Sequence, residues 1–292
     1  MNLEQSYIKL LAWLNKHKIP LPFKLFKVIN RSTYGWVEFV ETLPCSDEKE
    51  VKRYYKRAGI LLCLAYILEA TDLHFENLIA CGEYPMLIDL ETLMHPREQE
   101  IENLDASENA QILANQQMWH SVIRTGLLPR WQFGSKNWSY DSTGFGGGGQ
   151  NQLPFPLQKW NNINKDNMSL VYGHETIQPS ANLPSVNGVD IEFNNYQEEI
   201  IDGFRQMYRF LMKHKKSLLA SPLMKELAKQ HTRFVFRPTR VYASLLKNTL
   251  NPKFLRNGAD RSIQIDILSQ TVSSSESKPL TWPIIHLYFK RS

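Results

Sequence analysis

Cysteine is scarce in this chain: Cys45, Cys63 and Cys81 are its only three in 292 residues. An odd number without metal-ligand spacing excludes a disulfide framework and a cysteine zinc site. Two of them fall in apolar runs where a reduced thiol packs as a small hydrophobe, which points to a reducing cytoplasm. A dominant charge is missing too. The 34 Lys and Arg stand against 29 Asp and Glu, a net +5 spread along the sequence, so no concentrated basic face marks a nucleic-acid binder. Long hydrophobic runs are absent as well. The longest, "AGILLCLAYILEA" from Ala58, is shorter than the roughly 20 residues needed to span a bilayer. The start, "MNLEQSYIKLLAWLNKHKIPL", lacks the basic-then-apolar layout of a signal peptide. No internal repeat is visible. What is present, a hydrophobic content of 42%, suffices for the core of one large domain or two ordinary ones in a soluble protein.

Along the chain, Tyr7, Leu10, Leu11 and Leu14 recur at helical spacing within residues 4–17, a pattern ended by Pro20. "FKLFKVINRSTYGWVEFVE" reads as a hairpin. A second helix begins near Ser46-Asp47-Glu48 and runs to about Ala70, apolar nearly all round and therefore buried. After a loop, "NLIA" and "MLIDLE" read as paired strands around a turn at Gly82-Glu83-Tyr84-Pro85. Residues 106–124 read as helix, and the stretch from Trp131 to about Ser185, with its "TGFGGGGQNQ", as long loop. Helical periodicity returns over 195–219 and from Pro222 to Gln230, and "TRFVFRPTRVYASLLKNTL" reads as a short strand entering a helix.

Chemistry concentrates in "ATDLHFENLIACGEYPMLIDLETLMHP". Asp72, His74 and Asn77 fall in the loop after the buried helix, while Asp89 and Glu91, two apart on the expected strand, face one side. Pairing of the two strands brings the groups together. Singly, each has a plain structural explanation: Asp72 as a turn cap, His74 as a half-buried histidine, Asp89 and Glu91 as the polar side of a strand. In combination they read differently, because Asp89 in an apolar strand is costly to bury without a cation or hydrogen-bonding partner. Hard oxygen ligands such as Asn77 and Asp89 suit Mg²⁺, and a nearby aspartate can accept a hydroxyl proton during phosphoryl transfer from a nucleotide. The "GFGGGG" run lacks the Lys-Ser and helix start of a phosphate loop and reads as a linker.

The Asp-x-His-x-x-Asn motif followed by an apolar-Asp segment resembles the catalytic loop and metal strand of lipid-kinase-like enzymes. Where those have Asp-Phe-Gly, this chain has Asp89-Leu90-Glu91. In this form, "TDLHFENLIACGEYPMLIDLET" resembles the dehydratase domain of class II lanthipeptide synthetases, the LanM family. "LLAWLN", "SVIRTGLLP", "EEIIDGFRQMYRFL" and "RFVFRPTRVYASLL" are similar to segments of that family in the same order. The resemblance covers nearly the whole chain and is weakest through the glycine-rich stretch.

The resemblance implies an α+β, lipid-kinase-like (protein-kinase-like) catalytic core, mostly its helical large lobe with an incomplete small lobe. In that scheme residues 1–45 are a small-lobe remnant and 46–130 hold the catalytic loop and metal strand. Residues 131–190 form a loop-rich insertion, and 191–292 a helical region with the elimination segment. It further implies a lanthipeptide (lantibiotic) dehydratase that uses ATP and Mg²⁺ to phosphorylate Ser and Thr of a leader-bearing precursor peptide and then eliminates phosphate to leave dehydroamino acids. Asp72 would be the base or hydroxyl-orienting group, with His74 and Asn77 as its companions. Asn77 and Asp89 would bind Mg²⁺ and nucleotide, and Glu91 would serve the metal or the elimination. Arg233 would clamp the departing phosphate, with Thr239 as its hydroxyl partner.

In that family a lysine-bearing segment that contacts the nucleotide precedes the region matched by "MNLEQSYIKLLAWLN", and a zinc cyclase domain follows. The expectation is therefore a synthetase fragment, truncated at both ends and without cyclase activity, whose partners are the precursor peptide and a complementing fragment carrying the cyclase. An inactive fragment that only binds peptide or a complementing subunit is the alternative. A lipid or small-molecule kinase is a third reading, fitting Asp89-Leu90-Glu91 less well.

Overall fold

The computed structural model describes residues 2–31, 33–95, 110–133, 139–146, 157–173, 181–232, 239–250 and 254–270. The chain divides into two compact units, Met1–Phe234 and Val235–Ser292. In the first, helix α1 (Asn2–Lys16) buries Leu3, Tyr7, Leu10, Leu11 and Leu14 along one face. A hairpin, β1 (Val28–Asn30) with β2 (Gly35–Val37), packs against α1 through β1.

Helix α2 (Glu48–Ile67) is the axis of the core. Its start is capped from within: Asp47 Oδ1 accepts the Glu50 N–H at 2.9 Å, and Glu50 Oε2 accepts the Ser46 N–H at 2.7 Å. From Arg57 to Ala65 every residue is buried, as the nearly continuous apolar sequence requires. Two buried tyrosines place their hydroxyls on backbone carbonyls, Tyr54 on Asn182 O at 2.6 Å and Tyr55 on Ile191 O at 2.5 Å. Asn182, within the stretch read as loop, is thereby fastened to the core.

The second hairpin, β3 (Leu78–Cys81) with β4 (Tyr84–Leu87), pairs Leu78 with Leu87 and Cys81 with Tyr84. The outer edge of β3 is also occupied, since Leu43 N donates to Ala80 O and Ala80 N to Ala181 O, at 3.0 and 2.7 Å. Beyond it lie α3 (Ala110–His120) and three short hairpins: β5 (Gln132–Phe133) with β6 (Ser139–Tyr140), β7 (Leu157–Asn161) with β8 (Ser169–Gly173), and β9 (Ser185–Val186) with β10 (Val189–Asp190).

Helix α4 (Gln197–Leu219) crosses α2 at close range. A Cβ on Gly59 would lie 1.9 Å from Ile200 O, and one on Gly203 2.0 Å from Lys56 O, so only glycine lets the two backbones meet there. The short α5 (Pro222–Leu227), with Pro at its start as helix geometry favours, packs on α1. The second unit contains α6 (Thr239–Thr249) and α7 (Gly258–Gln270). No helix among the described residues is long and apolar enough to cross a membrane.

Candidate active site

Asp72 lies shortly after the end of α2, and its backbone is left-handed, with φ of 56°. Aspartate tolerates this conformation better than most residues but gains nothing from it locally. Neighbouring segments hold the chain in place on every side. Thr71 N donates to Thr92 O at 3.3 Å, Leu73 N to Thr125 O at 2.9 Å, and Phe75 N to Ser142 O at 3.1 Å. Gly126, itself at φ of 77°, fits closely because a Cβ there would be 2.9 Å from Leu73 N. Gly144 meets Leu73 O in the same way, at 2.9 Å. The Asp72 side chain stays exposed while Leu73 beside it is fully buried.

The Asp72 carbonyl gathers the rest of the motif. It accepts His74 N at 3.0 Å and the Asn77 side-chain amide at 3.0 Å. Asn77, buried at the end of a 3-10 turn (Phe75–Asn77), thus commits its NH₂ to Asp72, leaving its side-chain oxygen as the atom free to meet a cation or hydroxyl. His74 Nδ1 accepts the Glu76 N–H at 3.3 Å, so the neutral ring carries its proton on Nε2. Asp72, His74 and Asn77 therefore form one hydrogen-bonded unit, as their spacing suggested.

Asp89 and Glu91 differ from the sequence expectation in one respect. β4 ends at Leu87, so neither residue lies on a strand. The last rung across the hairpin is Ile88 N to Asn77 O, 3.1 Å, and pairing stops because Asn77 belongs to the 3-10 turn. That rung puts Asp89 one residue past the backbone contact with Asn77, at the open end of the hairpin. Asp89 and Glu91 are exposed on either side of buried Leu90, and Asp89 Oδ1 accepts the Glu91 N–H at 3.1 Å, closing a tight turn. Among the described residues, no three His, Cys, Asp or Glu side chains converge as a metal cage. An Asn and an Asp oxygen suit Mg²⁺, which takes one or two protein oxygens together with phosphate. Arg233 lies outside the described residues, and Thr239 begins α6 in the second unit.

Three supports were invisible in the local sequence. Arg124, with only 4% of its side chain exposed, donates to Tyr66 O at 2.6 Å and pairs with Glu69 at 3.0 Å, fixing the end of α2 against the 3-10 turn (Val122–Thr125) that holds Leu73. Asp141, buried, accepts Thr143 N and Thr143 Oγ1 at 3.0 and 2.7 Å, and a Cβ on Gly146 would strike its carboxylate at 2.0 Å. Asn182, fully buried, donates to Gly144 O and Gly146 O at 2.8 Å each. Residues 144–146 are thus packed into the site's support and do not behave as the linker their glycine content suggested. At the turn of the hairpin, Glu83 pairs with Arg53 and Arg57. Burial works to raise its carboxyl, but hydrogen bonds and charge from the two arginines outweigh it and hold the group below the ordinary value of 4.5.

The family model described as a domain of unknown function (DUF4135) matches residues 1–289. The chain is also 31% identical over 238 residues to the lacticin 481/lactococcin biosynthesis protein LcnDR2 of Lactococcus lactis subsp. lactis. That alignment covers 80% of this chain and 25% of the relative, so the chain spans about a quarter of that protein's length.

Proposed function

Since the chain belongs to the DUF4135 family, and bears out the resemblance to LanM-type lanthipeptide synthetases, we propose that it acts in lanthipeptide biosynthesis as a Ser/Thr dehydratase with a lipid-kinase-like large lobe. Its substrate is a precursor peptide, whose Ser and Thr it phosphorylates with ATP and Mg²⁺ before eliminating phosphate. One observation carries this reading: the Asp72 carbonyl ties His74 and Asn77 into a single loop, and the hairpin rung from Ile88 to Asn77 falls one residue before Asp89.

When bound, Mg–ATP supplies the phosphoryl group and neutralises its developing charge. The chain supplies position. Asp72, exposed on a backbone gripped from three sides, accepts the proton of the attacking Ser or Thr hydroxyl. Asn77 and Asp89 present the oxygens that would hold the metal, with Glu91 next to them across the tight turn. His74 carries its proton on Nε2, available to donate toward substrate or phosphate. Arg233 and Thr239 take the role of holding the departing phosphate, on the strength of the sequence resemblance.

Mass spectrometry of a lantibiotic precursor peptide incubated with the chain, ATP and Mg²⁺ tests the reading. Gain of one phosphate followed by net loss of one water is expected. Asp72→Asn should lower phosphorylation by roughly a hundredfold or more, and Arg233→Ala should let phosphopeptide accumulate. A peptide that binds but never gains phosphate would favour the alternative of a non-catalytic binding fragment, and stable phosphopeptide from the unsubstituted chain would favour a simple kinase.

A further inference from the structure

Helix α4 turns one face inward and leaves the other uncovered. Ile200, Gly203, Met207 and Phe210 are buried. On the opposite side Ile201, Tyr208, Met212 and Leu219 are 40%, 52%, 54% and 57% exposed. At their spacing these four fall within one narrow stripe of a 3.6-residue helix. Arg205, Arg209, Lys213 and Lys216 border the stripe on one flank and Lys215 on the other, all exposed. No carboxylate follows Asp202 on this helix, and Asp202 itself is engaged by Lys56 at 2.7 Å. Among the described residues none of the five bordering cations lies within ion-pair distance of a carboxylate, although Arg205 joins Lys56 in attracting Asp202.

The C-terminal end of α1 meets α4 on its inward side, at His214 beside buried Phe210. Trp13 stacks on His17 with ring centroids 3.8 Å apart, and the His17 and His214 rings lie 5.7 Å apart. Two Lys-His-Lys stretches far apart in sequence meet there through their histidines. A modest overall charge conceals a locally cationic, partly apolar strip.

We propose that this face of α4 docks an acidic, amphipathic segment of the peptide substrate, one lying away from the Ser or Thr that reacts; the substrate class rests on the function proposed above. Charge complementarity selects an acidic partner. The narrow apolar stripe with cations on both flanks matches a single helix laid alongside α4. A bilayer surface would call for a broader apolar face. Tyr208 is a single exposed aromatic within the stripe, short of the succession of stacking platforms that single-stranded nucleic acid uses.

Fluorescence anisotropy on the 292-residue chain, without nucleotide or Mg²⁺, tests the assignment. The probes are a labelled synthetic helix of about 20 residues with Glu on one face and Leu on the other, a scrambled peptide of the same composition, and phosphatidylglycerol–phosphatidylcholine vesicles. The acidic helix should bind, and should weaken roughly tenfold on raising salt well above physiological strength. The combined variant Arg209→Glu, Lys213→Glu, Lys216→Glu should weaken it roughly tenfold or more, with an unchanged circular dichroism spectrum. Hydrogen exchange on the unsubstituted chain should show protection over residues 201–219, a readout that stands even if the variant misfolds. Equal binding of the scrambled peptide, protection elsewhere, preference for vesicles, no binding, or an unaffected variant would each overturn the proposal. Dehydration is read separately: activity without binding to α4 removes only this docking face, whereas binding without activity removes only the catalytic reading.

Discussion

The hairpins β1–β2 and β3–β4 have the same two-stranded antiparallel plan and opposite surroundings. In β3–β4, Leu78 and Ala80 are fully buried, Leu87 is buried against α2, and the free edge of β3 is taken up by residues 43 and 181. In β1–β2, Ile29 and its cross-strand partner Trp36 are 51% and 68% exposed. An isolated two-stranded hairpin is marginal in water, so β3–β4 owes its rigidity to the core and β1–β2 to the shelf that α1 provides. The candidate site sits on the hairpin whose geometry the core dictates.

The sharpest way to break this contrast is to hollow out the buried hairpin. Leu78→Ala should cost about 3 kcal/mol, measured as a shift in urea unfolding midpoint at constant slope. A smaller effect is expected at the turn, where Arg57→Ala removes the guanidinium over the Tyr84 ring and leaves Glu83 with a weakened set of partners; about 2 kcal/mol should be lost. Acid should probe the same turn. The folded Glu83 carboxyl titrates below its ordinary 4.5, so its contribution is complete above that value and is lost as pH falls through the folded one. Urea titrations at descending pH should therefore show a shallower acid decline for Glu83→Gln than for the unsubstituted chain. At the small end, Trp36→Ser on the exposed hairpin should change stability by no more than about 0.5 kcal/mol. A loss as large as that of Leu78→Ala would erase the distinction.

The parts of this architecture legible in the sequence were those encoded locally. Helix α2 announces itself through an Asp47 cap and an apolar run, and Asp72, His74 and Asn77 are close enough along the chain for one loop to unite them. The end of β4 was not legible. Burial still alternates through Asp89, Leu90 and Glu91, so the pattern continues to look like strand, while the partner that would extend the ladder has already curled into a 3-10 turn. The grip on Asp72 was hidden for a different reason. It comes from Thr125, Gly126, Ser142 and Gly144, distant in sequence, and the glycines signal flexibility when read locally but serve here as points of close approach. The basic end of α4 is legible as the run Lys213 to Lys216, but the strip it forms with Arg205 and Arg209 is not, because charge summed over a chain says nothing of where a helix presents it.

The left-handed turn at Asp72 has an implication for evolution of this chain under selection. A non-glycine residue there forgoes about 1 kcal/mol relative to a relaxed backbone, so Asp72→Gly should make the protein more robust to heat while removing the carboxylate proposed above as proton acceptor. Robustness and reactivity are set against each other at one peptide unit, and relief of that tension would be an early mark of a lineage that had stopped using the site.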